Sequence, residues 1–243
     1  MEIVSTSAWA ISQHQTPCGE PFKGRDTVFL VNVGPAIPER DKLAAMISKE
    51  LGVRKIVKLS SLDVEHGLAI GAWHEKGEAS IRATGIPFTF VRPTGFMSNL
   101  LAWAHSIRTE SVVRSSTADG RRPFIHSEDI VSVCLAALLN DRYLGEALPI
   151  TGPESLTFGE ATTIISEAIG RPLSHQVISD EEARERYSRI GGSQEETEAH
   201  VTLWRAIREG RLAATTDGVE RILGRKPIAL RQWASENVRS FLN

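Results

Sequence analysis

The chain has 243 residues, 28 basic and 30 acidic side chains, a formal charge of −2, 41% apolar and 24% charged residues. This is ordinary globular composition with enough length for a full core, and no long run of one charge suggests a nucleic-acid footprint. No stretch approaches the roughly 20 apolar residues of a membrane span or forms a signal peptide, so the expectation is a cytoplasmic protein without nucleic-acid or membrane partners.

The chain opens on "MEIV", a short apolar strand, followed by "STSAWAISQ". In a dinucleotide-binding turn spaced G-x-x-G-x-x-G, glycines let the backbone approach a diphosphate. Here Ser7, Ala10 and Gln13 hold those places, and Trp9 lies between them. "TVFLVNV" (27–33) is a continuous apolar run, expected to be a strand buried on both faces and stopped by Gly34 and Pro35. "ERDKLAAMISKELG" reads as a helix ending at Gly52. A strand "RKIVKLSS", a helix "GAWHEKGEASIRATG" and a strand "PFTFVRP" follow, so the order strand, helix, strand predicts parallel βαβ units.

"GFMSNLLAWAHSIRTE" reads as one helix, "RRPFIHSEDIVSVCLAALLND" as a short strand entering a helix, and "EALPITGP" as another strand. Cys134 in the middle segment reads as a buried thiol; with Cys18 as the only other cysteine, neither a disulfide framework nor a cysteine metal site is expected. "SLTFGEATTIISEAIGRP" starts a helix at Ser155 or Thr157 and ends it at Gly170. "LSHQVIS" is a strand, and Ser179 or Asp180 caps the helix after it. From Gln194 the chain is mostly helical. The expected fold is α/β: a Rossmann-like parallel sheet with helices on both faces, shortened on its N-terminal side. Residues 1–152 form this core, and 153–243 a smaller, mainly helical lobe integral with it, over the carboxyl ends of the strands.

The segments "DTVFLVNVGP", "VRKIVKLSSL", "WHEKGEASIRATGIPFTFVRPTGFMSNLL", "RRPFIHSEDIVSV" and "LPITGPESLTFGEATTIISEAIGRPL" together resemble the NmrA-like branch of the atypical short-chain dehydrogenase/reductases. The resemblance implies an NAD(P)-binding Rossmann sheet in a reductase, a natural-product tailoring enzyme or a redox-sensing regulator. It departs at the front, where only 25 residues precede Asp26. "MEIV" then stands for the first strand of the sheet or for the third; the first leaves the remaining strands contiguous.

Ligands in open α/β sheets lie beyond the carboxyl ends of the strands, which selects Asn32, Gly34, Pro35, Ser60, Ser61 and Thr94. The family's reductases tend to carry a lysine on the second helix, and either His74 or Lys76 falls near that place; no Y-x-x-x-K pair is present. His74 is the candidate acid or base, with Ser60 or Ser61 donating to a developing oxyanion. Thr94, Phe96, Met97, Asn99 and Trp103 are the candidate wall for a small apolar or aromatic substrate. Without glycines in the turn, no cofactor is expected, and the first reading is cofactor-free acid–base chemistry: cyclisation, dehydration or isomerisation. The alternatives are an NAD(P)H-dependent oxidoreductase, its cofactor held by Ser7, Asn32, Gly34, Pro35, Ser60 and Lys76, and a non-catalytic ligand sensor. No metal site is expected, and an open sheet edge suggests a homodimer.

Overall fold

The computed structural model describes residues 22–242. The strand expected at "MEIV", the turn at Ser7, Ala10 and Gln13, Trp9 and Cys18 therefore lie outside the described residues.

Four parallel strands form the central sheet: β1 (Thr27–Val31), β2 (Lys55–Leu59), β3 (Phe88–Pro93) and β7 (Ala147–Ile150), in the order β1-β2-β3-β7. Helices α1 (Ile37–Glu50) and α2 (Ala69–Arg82) join the first three strands and cover one face, where Val28, Leu30, Ala44, Ile56, Ile81 and Phe90 form one apolar cluster. The other face is covered by α4 (Ser127–Leu139) and α8 (Gly218–Leu223), packed on Val57, Val91 and Leu148. Cys134 is buried there as expected, and burial pushes its thiol up to about 12.

β1 differs from the sequence reading. Val28 and Leu30 are buried, but Phe29 is 42% exposed and Val31 53% exposed. Among the described residues β1 pairs only with β2, and the four-stranded sheet leaves one face of β1 beyond the reach of α4. Continuous apolar character signals a strand with two apolar faces, not two covered ones.

The remaining strands are short. β4 (Gly95–Phe96) runs parallel to β6 (Arg121–Ile125), which pairs antiparallel with β8 (Ser155–Thr157); β5 (Val112–Ser115) is parallel to β9 (Ser174–Val177). α5 (Phe158–Ile169) begins with the capping box of Thr157 and Glu160 and stops at Gly170 in the left-handed conformation. α3 (Ala104–Glu110), α5, α9 (Leu230–Glu236) and α10 (Val238–Leu242) share a cluster that includes Ile107, Ile165, Trp233 and Phe241. α6 (Asp180–Arg189), capped by Ser179, and α7 (Gln194–Arg208), capped by Ser193, pack on each other and return the chain to the carboxyl ends of β1 and β2.

Gly152 follows β7 where the backbone of β6 passes so close that an added Cβ would lie 1.8 Å from the Phe124 carbonyl oxygen. Neither atom belongs to a flexible side chain, so relief requires a backbone shift. Gly152→Ala should destabilise the protein by about 2–3 kcal/mol, seen as an earlier urea midpoint; an unchanged midpoint would show that β6 can move aside freely.

Candidate functional site

The carboxyl ends of β1, β2 and β3 open into a cavity of about 370 Å³, within the roughly 300–1,000 Å³ usual for small-molecule sites. Asn32, Gly34, Ser60, Ser61, His74, Thr94, Phe96 and Asn99 all line it, as the sequence reading grouped them. Gly34 has φ +78°, a left-handed conformation that leaves the backbone bare at the end of β1.

Four expected positions fall elsewhere. Pro35 is not in the wall. Lys76 is exposed on the solvent side of α2, because two residues along a helix turn a side chain roughly 200° away from His74. Met97 belongs to the core and Trp103, partly buried, packs against it: the stretch read as one helix is instead β4, a 3₁₀ segment (Met97–Trp103) and α3. Met97 and Leu100 turn inward, and Trp103 packs on Phe158 at 5.5 Å between ring centroids.

Beneath the cavity lies a buried polar layer. Lys58 Nζ stands 2.6 Å from Asp41 Oδ2, both side chains fully buried, and Asn32 Nδ2 donates to Asp41 Oδ1 at 2.7 Å. The glycine at position 77 lets α2 approach this carboxylate, since a Cβ there would come within 2.0 Å of Oδ2. Beside it, Glu78 accepts from Ser60 Oγ at 2.7 Å and from Arg92 at 2.9 and 2.6 Å. The Ser60 proton is thus committed to Glu78 and not free for an oxyanion. Ser61 accepts the Asp63 amide at 3.1 Å, capping the turn after β2.

His74 is buried on α2, and its Nδ1 has no hydrogen-bond partner among the described residues. Burial first, and the charge of Lys58 second, push it down to about 3. It is therefore a neutral imidazole at physiological pH, where the sequence reading had it titrate near neutrality.

The sequence reading missed Asp63, Trp73, Arg122, Tyr187, Glu196 and His200, which also line the cavity. Arg122 and Asp63 form a buried ion pair at 3.1 Å. Tyr187 stacks on His200, with ring centroids 4.2 Å apart, and their Oη and Nε2 are 3.4 Å apart. Trp73 Nε1 donates to Glu195 at 3.2 Å, tying α2 to the start of α7.

The profile of the NmrA-like family matches residues 15–204. A (4-alkanoyl-5-oxo-2,5-dihydrofuran-3-yl)methyl phosphate reductase of Streptomyces griseus is 34% identical over 225 residues, covering 90% of this chain and 78% of the relative. An NAD(P)H azoreductase of Xenophilus azovorans is 27% identical, covering 90% of this chain and 77% of the relative. Among solved structures, the NADPH complex of an Escherichia coli NADPH-dependent quinone oxidoreductase superposes with a TM-score of 0.81 at 16% identity, covering 90% of this chain and 78% of that one.

Proposed function

The chain belongs to the NmrA-like family, and we propose that it is an NAD(P)H-dependent reductase of a small organic acceptor. The observation that carries this reading is the cavity at the carboxyl ends of the three strands, with the buried Nδ1 of His74, unpartnered among the described residues, in its wall. Relatives named as reductases and dehydrogenases support it over cofactor-free acid–base chemistry, as does an imidazole that burial keeps from charging near neutral pH.

The described residues fit the nicotinamide half of such a coenzyme. A bare backbone at Gly34, an orphaned polar atom on His74 and the exposed amide of Asn99 surround a space of suitable size. When bound, the coenzyme supplies a hydride. Gly34 and Ser61 would hold its ribose side, and His74, as a neutral hydrogen-bonding group, would fix the carboxamide. Asn32 and Ser60, tied to Asp41 and Glu78, keep the strand ends rigid, while Trp73 and Phe96 exclude water from the acceptor.

Titrating NADPH and NADH into the protein while following tryptophan fluorescence tests this directly, because Trp73 lines the cavity. Saturable quenching in the micromolar range is expected. No binding up to millimolar coenzyme, with the fold confirmed in the same sample, would overturn the reading.

A further inference from the structure

On the α4 side of the central sheet, apolar surface stays open among the described residues. α4 carries charge only in its first turn, at Glu128 and Asp129. A helix that is apolar all round belongs in an interior, yet Val131, Leu135 and Leu139 are 64%, 50% and 59% exposed. Their spacing of four puts them in one stripe along the helix. Asp129, on one flank, is held by Arg225 just beyond α8, and α8 lies over β7. Val131, Leu135 and Leu138 stand about 180–240° round the helix from Asp129, so they look away from α8 and toward β1. Phe29 of β1 is in register with Val57, which packs under α4, so Phe29 and Val31 point to the same side of the sheet. The exposed flank of α4 and the exposed face of β1 thus meet in an apolar step.

Two features bear on what covers it. Phe22, where the described chain begins, packs on the opposite face of the sheet, in the cluster of Val28, Leu30 and Phe90. The chain therefore reaches β1 from the α1 side, away from the step. The stripe itself is self-complementary. It starts at the exposed Glu128 and ends, three residues past Leu139, at the exposed Arg142, whose guanidinium lies over the Tyr143 ring at 4.6 Å. Glu128 and Arg142 lie seven residues either side of Leu135, and Val131 and Leu139 four either side. Reversed end for end about Leu135, the stripe sets acid against base and aliphatic against aliphatic, which is the requirement of an isologous contact.

We propose that this face is the interface of a homodimer. The two copies are related by a two-fold axis at Leu135, with their α4 helices antiparallel and each α4 covering the exposed face of the other copy's β1. Glu128 of each copy meets Arg142 of the other, and the opposed helix dipoles add to the fit. The homodimer expected from an open sheet edge is thereby assigned to a helix face, independently of the reductase reading.

Sedimentation equilibrium of the full chain tests the interface. Wild type should have the mass of two chains at micromolar concentration. Leu135→Glu sets two carboxylates together at the axis and should be monomeric over the same range, with unchanged far-UV circular dichroism because Leu135 lies outside the core. Glu128→Arg and Arg142→Glu should each weaken the dimer about tenfold, since symmetry repeats each like-charge contact. The combined Glu128→Arg/Arg142→Glu should recover most of that loss, which also decides the matter if Leu135→Glu fails to fold. A wild type that stays monomeric, with the step covered by residues 1–21 or by a different protein, would overturn the proposal. So would a dimer that survives Leu135→Glu, or a double reversal no tighter than the single ones.

Discussion

Lys58→Met is expected to lower stability by about 3–5 kcal/mol, the range for stranding one half of a buried ion pair. Lys58 and Asp41 are both fully buried at 2.6 Å, and without the ammonium the Asp41 carboxylate keeps, among the described residues, the side-chain amide of Asn32 alone. Against the roughly 5–15 kcal/mol typical of a folded domain, this is a large share, readable as a shift in the urea midpoint. Because the loss arises from an uncompensated charge and not from a missing contact, adding Asp41→Asn to Lys58→Met should restore at least half of it. A Lys58→Met midpoint equal to wild type would mean that water reaches the carboxylate. The same substitution removes one of the two causes depressing His74, so the imidazole should titrate higher in Lys58→Met.

The second large effect is a dependence of stability on pH that runs through His74. In the folded state the imidazole stays neutral down to about 3, whereas an unfolded histidine gains its proton at about 6.5. Between those values the unfolded chain binds a proton that the native state refuses. The native state therefore loses stability as pH falls, by about 1.4 kcal/mol per unit, and nothing is lost above about 6.5. Wild type should fall behind His74→Gln by about 2 kcal/mol on going from pH 7 to pH 5, and by about 4–5 kcal/mol at the lower limit. Other acid-sensitive groups are common to both proteins, so the difference isolates the imidazole. Urea curves of the two proteins that keep a constant separation across this range would show that His74 is solvated.

The parts of the site on strand ends were legible in the sequence because the parallel sheet fixes where a ligand must lie. Asn32, Gly34, Ser60, Ser61 and Thr94 were found from topology before any contact was known. His74 and Lys76 were not separable by spacing near the family's lysine; the face of α2 decided between them. Met97 and Trp103 were assigned to the wall because they follow the third strand, where the resembled family has substrate-facing residues; the 3₁₀ segment instead turns Met97 into the core and packs a partly buried Trp103 against it. Tyr187, Glu196 and His200 carry no local signature at all. In the sequence Glu196 is an N3 residue that completes a helix cap, and it fills that role in the structure too. Its approach to Gly34 is produced by a return of the chain over some 160 residues, which no periodicity records.

The wall of the cavity divides into two inheritances. The strand ends contribute positions scattered from Asn32 to Arg122, each embedded in the sheet and its polar underlay, whereas Tyr187, Glu196, His200 and Leu203 sit on the contiguous helical hairpin of α6 and α7. The hairpin thus contributes a contiguous share of the wall, so exchanging it as a single segment would alter that side of the cavity while leaving the strand ends and their polar underlay in place.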